Sequence, residues 1–411
     1  MSTDRKSVVF LSVLVLCTAC APQSLPTVNP SSELTATQPS LTTTETSTPF
    51  SPTLTTTPTP SLPPVLDVVI DDLAIGGQGQ LYASGYGTGL QQVPQPQLAH
   101  WDGAKWIALD TGFQTGGGSL AVDRAGHLYA EVFTDSQQGL SNAIMRWDGT
   151  TWEDITGNFG EVVDARQAGR ISSNIPVVAL AVDGEDHLYA AGAFFYPNAD
   201  HTNEFPMGYV AKWDQETWTV LGKGFDKVNI FALAVSDTGD VYVSGEQPLT
   251  PEGNSSYMAR WDGEQWTEID TSKLSANRTI ALDQSGRLYA SGQWNALVET
   301  VGYWDGTDWI PIADRFEGEA PVVLDMAADA NGHLYIGGSF EAVNGIPARN
   351  MAYWDGSSWH ALGEGTNKEV HALALDPSGD LYAVGLFTEA GGVPANHVAY
   401  WNGETWYALA P

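Results

Sequence analysis

Two stretches of the chain hold side chains in combinations suited to binding or bond cleavage. Asp164, Arg166 and Arg170 fall between Thr156 and Pro176, while Phe195, Tyr196, Asp200, His201 and Glu204 fall between about Phe194 and Met207. Guanidinium groups grip carboxylates through paired hydrogen bonds, and aromatic rings offer flat apolar surface to a sugar or a peptide. These residues therefore suit a binding site for a carboxylated sugar or a peptide. Asp164, Asp200 and Glu204 also suit glycan cleavage by a hydrolase or lyase, if two of their carboxyl groups stand about 5–10 Å apart. The plainer alternative is a pair of solvated loops with an internal contact from Asp164 to Arg166 or Arg170. No phosphate loop, Gly-x-Ser-x-Gly elbow, zinc-protease helix or Cys pair occurs beyond residue 64, so no cofactor and no metal site is expected.

What must position these residues is a repeat. A pattern of Trp, Asp or Asn, Gly, two free positions and Trp starts at Trp101, Trp147, Trp261, Trp304, Trp354 and Trp401, with Gln215 replacing the Gly in the copy at Trp213. The steps between copies run from 43 to 66 residues, the range of four-stranded propeller blades, and the longest step contains the Thr156–Pro176 insertion. Each copy follows an apolar segment and a Leu-Tyr or Val-Tyr strand, whose Tyr recurs at 82, 129, 189, 242, 289, 335 and 382. The expected fold is all-β: a seven-bladed β-propeller of four-stranded blades over residues 65–411, after a signal peptide and a disordered linker.

Local chemistry fills in the strands. In the last copy, the four strands are expected at His371–Asp376, Leu381–Gly385, His397–Trp401 and Trp406–Leu409. Asp355-Gly356 reads as a two-residue hairpin turn that pairs Trp354 with Ser357 and sets Trp359 opposite Ala352. The two Trp side chains then share one face, toward a neighbouring blade, where burial of each would contribute about 4–6 kcal/mol. Asp-x-x-Gly at Asp123, Asp283, Asp329 and Asp376 predicts a tight turn ending in a left-handed residue, with Asp186 in the Gly position of a variant copy. First strands such as Val178–Val182 are apolar throughout, as for strands covered on both faces and lying innermost. His127, His187 and His333 occupy one equivalent strand position, which suits surface strand residues rather than metal ligands. Turns between first and second strands, and between third and fourth, open on one face. The variable loops, with the candidate residues above, fall on the other.

This order of apolar strand, Tyr strand, Trp-Asp-Gly turn and Trp strand resembles kelch-type repeats, as in the central domain of galactose oxidase. Gly391-Gly-Val-Pro-Ala-Asn-His-Val-Ala-Tyr-Trp-Asn-Gly403 also resembles repeats of bacterial surface proteins and fungal cortical polarity markers. The resemblance spans residues 65 to 411 and implies the fold; propellers host unrelated activities. Galactose oxidase-like copper chemistry needs a Cys cross-linked to Tyr, and no Cys follows residue 20.

The leader has Arg5 and Lys6, an apolar run from Val8 to Leu16, and then Cys17-Thr18-Ala19-Cys20. That run is too short to span a bilayer. Its end resembles a bacterial lipobox, which implies a lipid on Cys20 and an extracellular, membrane-anchored protein; cleavage after Ala21 would instead release a secreted one. Residues 21–64 contain thirteen Thr, ten Pro and seven Ser and no Gly, Lys or Arg, a composition that cannot bury a core. As a Pro-rich stalk it could reach roughly 140 Å from a membrane. The chain carries a net charge of −32; the leader holds +1 and the linker −2, leaving −31 on the repeats. Nucleic acid and anionic membrane surfaces are excluded as partners. The reading is a monomeric surface module for a polysaccharide, peptide or partner protein, with a glycan-cleaving enzyme or a cation-dependent scaffold as alternatives.

Overall fold

The computed structural model describes residues 68–87, 97–109, 114–136, 139–157, 177–197, 204–250, 253–275, 279–294 and 298–409. The residues read above as a signal peptide with Cys20, and as a linker, lie outside them. Among the described residues every regular element is a strand, and no helix is long and apolar enough to cross a membrane.

Among the described residues seven main antiparallel sheets follow one another, numbered here one to seven, each with four strands in the order of the chain; sheets three and five add a short fifth strand, and two small sheets of three and two short strands stand beside them. Their first strands are Val68–Ile75, Gln114–Val122, Val177–Val182, Asn229–Val235, Ile280–Leu282, Val322–Ala328 and Val370–Leu375. Each first strand lies against the first strand of the next sheet, and Val370–Leu375 comes back against Val68–Ile75, so the first strands form a closed inner ring. In sheet seven the strands are Val370–Leu375, Leu381–Gly385, Val398–Trp401 and Trp406–Ala408, as expected within a residue or two, and every residue of the first is buried. The apolar runs are thus explained: an inner strand has a neighbouring sheet on both faces.

The core is divided into layers between sheets rather than gathered in one centre. One cluster joins Leu180 and Val182 of sheet three to Tyr129 and Ile144 of sheet two, and another joins Val370 and Leu373 of sheet seven to Tyr335 and Met351 of sheet six. The ring closes the same way, with Ile70 and Leu73 of sheet one packed in a cluster with Ala372, Val384 and Val398 of sheet seven. No strand is exchanged between these two sheets.

The Trp turn differs from the expected two-residue form. Trp354 pairs directly with Trp359, and Ala352 with Ala361, so the loop has four residues. The cause is the Asp side chain. Asp355 Oδ1 accepts the N–H groups of Ser357 and Ser358, both at 2.8 Å, and the Asp355 N–H donates to Ser358 O at 3.1 Å. Asn402 does the same in sheet seven for Glu404 and Thr405. The third loop residue is held by this cap, so Gly356, at φ 93°, takes the left-handed position alone. Gln215 adopts φ 78° at the same point.

The Trp pairs do share a face, with ring centroids 5.2–6.3 Å apart in the seven sheets. The second Trp also ties its sheet to the one before. Trp218, Trp266, Trp309, Trp359 and Trp406 donate their indole N–H to Ile155, Leu221, Asp270, Ile312 and Leu362 carbonyls at 2.7–3.0 Å.

The Asp-x-x-Gly turns are networks as well as turns. Asp123 Oδ2 accepts the Tyr129 hydroxyl at 3.0 Å and faces His127 Nδ1 at 2.7 Å, and Asp183 and Asp329 treat Tyr189 with His187, and Tyr335 with His333, alike. The three His are partners of the turn carboxylates at one equivalent position. Asp186 takes φ 65° where the other copies have Gly.

Candidate functional site

Most residues singled out from the sequence fall outside the described structure: Asp164, Arg166, Arg170, Asp200 and His201 are among them. Phe195, Tyr196 and Glu204 have a described backbone, and it is strand rather than loop. Phe195 pairs with Pro206, Tyr196 with Phe205, and Pro197 with Glu204.

A cleft lies on the same face, where second strands lead to third and each sheet leads to the next, but between sheets six and seven. It encloses about 1070 Å³. Its charged lining is Arg349, Lys368, Glu319, Glu341 and Glu369.

Asn350 builds the cleft. It adopts φ 64°, its Nδ2 donates to the Thr366 and Lys368 carbonyls at 3.0 Å each, and its Oδ1 accepts the Phe340 N–H at 3.2 Å. One side chain thus pins the loop of sheet six to the segment entering sheet seven. The Thr366 N–H donates to the Arg349 carbonyl at 3.0 Å. Gly365 permits this approach, because at φ 69° a Cβ would lie 2.2 Å from Arg349 O. Arg349 and Lys368 are therefore carried on opposite, backbone-braced walls. Neither makes an ion pair among the described residues, although Arg124, Arg146, Lys212, Arg260, Lys273 and Arg315 each do. Two cations without partners beside three carboxylates can hold a ligand bearing carboxylates and hydrogen-bond donors.

The inner end of the cleft meets the seam between sheets seven and one. Register shifts leave Asp71 and His371 as extra residues on the inner edges of their sheets. Both are 6% exposed. His371 Nδ1 lies 4.0 Å from Asp71 Oδ1, and its Nε2 is 3.3 Å from Glu369 Oε1. Burial pushes the Asp71 carboxyl up to about 6, and the nearby His371 pulls it down.

Next to it, Asp72 joins sheets one and two. Its Oδ1 accepts the Leu73 N–H and its Oδ2 the Leu120 N–H, both at 2.8 Å. Burial pushes Asp72 up to about 8 despite these two hydrogen bonds, which favour the charged form. Asp325 joins sheets six and seven through Leu373 N–H in the same manner, and burial raises it well above the ordinary carboxylate range. Sheet seven has Ala372 at this position, and the Trp106 indole nitrogen of sheet one is buried without a partner. The ring-closing seam thus lacks both of these inter-sheet hydrogen bonds.

Sequence reasoning passed over Asp71, Arg349, Lys368 and His371. The available signals were two acidic residues inside an otherwise apolar first strand and a His at the matching place in the last copy. Among the described residues no group of three or more His, Cys, Asp or Glu is arranged to hold a metal ion.

No protein-family model matches the sequence, and no curated protein matches it. Solved structures do. The β-propeller domain of the Trilobed protease from Pyrococcus furiosus, described as having an open velcro topology, superposes with a TM-score of 0.53 at 10% identity, over 84% of this chain and 98% of that one. Pyrococcus horikoshii acylaminoacyl peptidase superposes with a TM-score of 0.55 at 12% identity, over 84% of this chain and 52% of that one, so the chain spans about half the peptidase's length. At such identities the likeness is one of fold: the chain is a β-propeller.

Proposed function

We propose that this propeller is a binding module of the cell surface, lipid-anchored through Cys20 and raised on the Thr/Pro/Ser-rich stalk. Its repeats are read as kelch-like, and its ligand as a carboxylate-bearing polymer: a surface polysaccharide first, an acidic peptide of a partner protein second. The carrying observation is the cleft between sheets six and seven, where Arg349 and Lys368 stand without ion pairs in a chain of net charge −32. Against so negative a field, two cations on braced walls, outside ion pairs among the described residues, offer contacts to ligand carboxylates, and Glu319, Glu341 and Glu369 beside them accept the ligand's hydrogen-bond donors.

The test incubates the full chain with neutral and uronate-bearing polysaccharides and with poly-glutamate, reading retention and released reducing ends together. Retention of a uronate polymer without release, weakened at least tenfold in the Arg349→Ala/Lys368→Ala double variant and by added salt, is the expected result. Retention that the double variant leaves unchanged would move the site elsewhere, and release of reducing ends would replace binding by cleavage. Anchoring is checked by incorporation of labelled fatty acid, which Cys20→Ser should abolish.

A further inference from the structure

The seam between sheets seven and one presents two buried polar groups that nothing in the fold satisfies. Asp71 Oδ2 and His371 Nδ1 are both buried and have no hydrogen-bond partner. They belong to side chains 6% exposed, and His371 Nδ1 lies 4.0 Å from the other carboxylate oxygen, Asp71 Oδ1, too far for a direct hydrogen bond. Buried donors and acceptors are almost always paired, so an orphan on each side of one gap points to something between them.

The other ring nitrogen indicates what. In the neutral tautomer that donates Nε2–H to Glu369 Oε1, 3.3 Å away, Nδ1 keeps a lone pair on the side of the Asp71 carboxyl. A carboxylate backing one nitrogen of an imidazole, whose other nitrogen is left free, is the arrangement that prepares a His to bind a metal. In that tautomer the lone pair and the carboxylate both attract a cation placed between them.

We infer that Asp71 and His371 form a binding site for one borderline divalent ion, such as zinc, that bridges the first and last sheets of the ring. Imidazole nitrogen and carboxylate oxygen each bind zinc at about 2.0–2.2 Å, which sets two donors of a tetrahedral site roughly 3.3 Å apart. A small rotation of either side chain closes the present 4.0 Å to that value. Two protein ligands leave the other positions to water, so affinity is moderate and the ion exchanges. Nitrogen in the donor set selects zinc, cobalt or nickel over magnesium and calcium, which prefer oxygen alone. The ion also supplies a cross-link at the seam that lacks the Asp hydrogen bond present at both neighbouring seams. This site is separate from the recognition cleft, though Glu369 touches both.

The experiment strips the full chain with chelator, then follows zinc by calorimetry and melting temperature, with cobalt as a spectroscopic probe. The expected result is one ion per chain, a raised melting temperature, cobalt visible bands of low-coordinate geometry, and no comparable effect of magnesium or calcium. Asp71→Asn and His371→Gln should each weaken zinc at least a hundredfold, and Glu369→Gln, at the more exposed backing position, roughly ten- to a hundredfold. Arg349→Ala/Lys368→Ala should leave zinc binding intact, which separates this site from the polymer-binding reading. No stoichiometric zinc binding, or binding that the folded Glu369→Gln and Asp71→Asn variants retain in full, would overturn the inference in favour of a water-bridged pair or of diffuse binding to the acidic surface.

Discussion

The indole N–H of Trp359 donates to the carbonyl of Ile312 at 2.7 Å, tying the last strand of sheet six to the end of sheet five. The repeat keeps Trp at this position for two reasons: its ring fills an inter-sheet layer, and its nitrogen satisfies a carbonyl of the preceding sheet.

The second reason can be isolated. Trp266 and Trp106 are both half-buried, but only Trp266 has a carbonyl to donate to, Leu221 O at 3.0 Å. Trp266→Phe should therefore lose about 1 kcal/mol more than Trp106→Phe, the contribution of one hydrogen bond. Urea midpoints measure it; equal losses would show that packing alone matters.

Gln215 holds φ 78° where the other turns have Gly. Gln215→Gly should stabilise the chain by about 0.5–1 kcal/mol, because a side chain in the left-handed region is strained. Gly263→Gln, which imposes the same strain at φ 100°, should lower stability to a similar degree or more. Thermal melts of the pair should move in opposite directions.

Stability should fall between pH 4 and pH 8. Asp72 has its folded pKa raised to about 8 from 3.8, so across this range the folded state holds a proton that the unfolded state has released. Its contribution is full below pH 4 and lost as pH rises through about 8. The carboxyls held low, such as Asp355 by the Ser357 hydroxyl, lose their contribution only at more acidic pH. Urea midpoints from pH 5 to 8.5 should decline, and the decline should be smaller in Asp72→Asn, the remainder coming from Asp71 and Asp325, which burial also raises; a level wild-type profile would refute the proton uptake.

Gly365→Ala should destabilise by about 2 kcal/mol and disturb the cleft, since its Cβ would meet Arg349 O at 2.2 Å. Polymer retention and melting temperature should fall together. A variant that melts earlier but binds as before would detach recognition from the Arg349 wall.

The repeats were legible because each is specified locally. Trp spacing, the Tyr of the second strand and Asp-x-x-Gly turns report interactions within one sheet, so Leu381–Gly385 and the left-handed Asp186 could be placed from composition and period. The Trp turn was misjudged because Asp-Gly has two outcomes, and the Asp355 side chain capping Ser357 and Ser358 favours the longer one. The seam was not legible: Asp71 and His371 stand 300 positions apart, and only ring closure brings them together. Arg349 and Lys368 were overlooked because attention went to the longest insertions, whereas Asn350 builds their cleft from short, fully hydrogen-bonded turns.

Each of the seven main sheets takes its four principal strands from one uninterrupted stretch of chain. In genetic terms, the smallest segment that can be duplicated or deleted without cutting a strand is one repeat of some 43 to 50 residues, apart from the copy that carries the long insertion. A gain or loss would replace one side-chain layer by two, or two by one, and ask nothing of the hydrogen-bonded ladders. Lineages carrying this architecture should therefore differ in whole repeats, and chimaeras joined at the links between sheets should fold more often than chimaeras joined inside them.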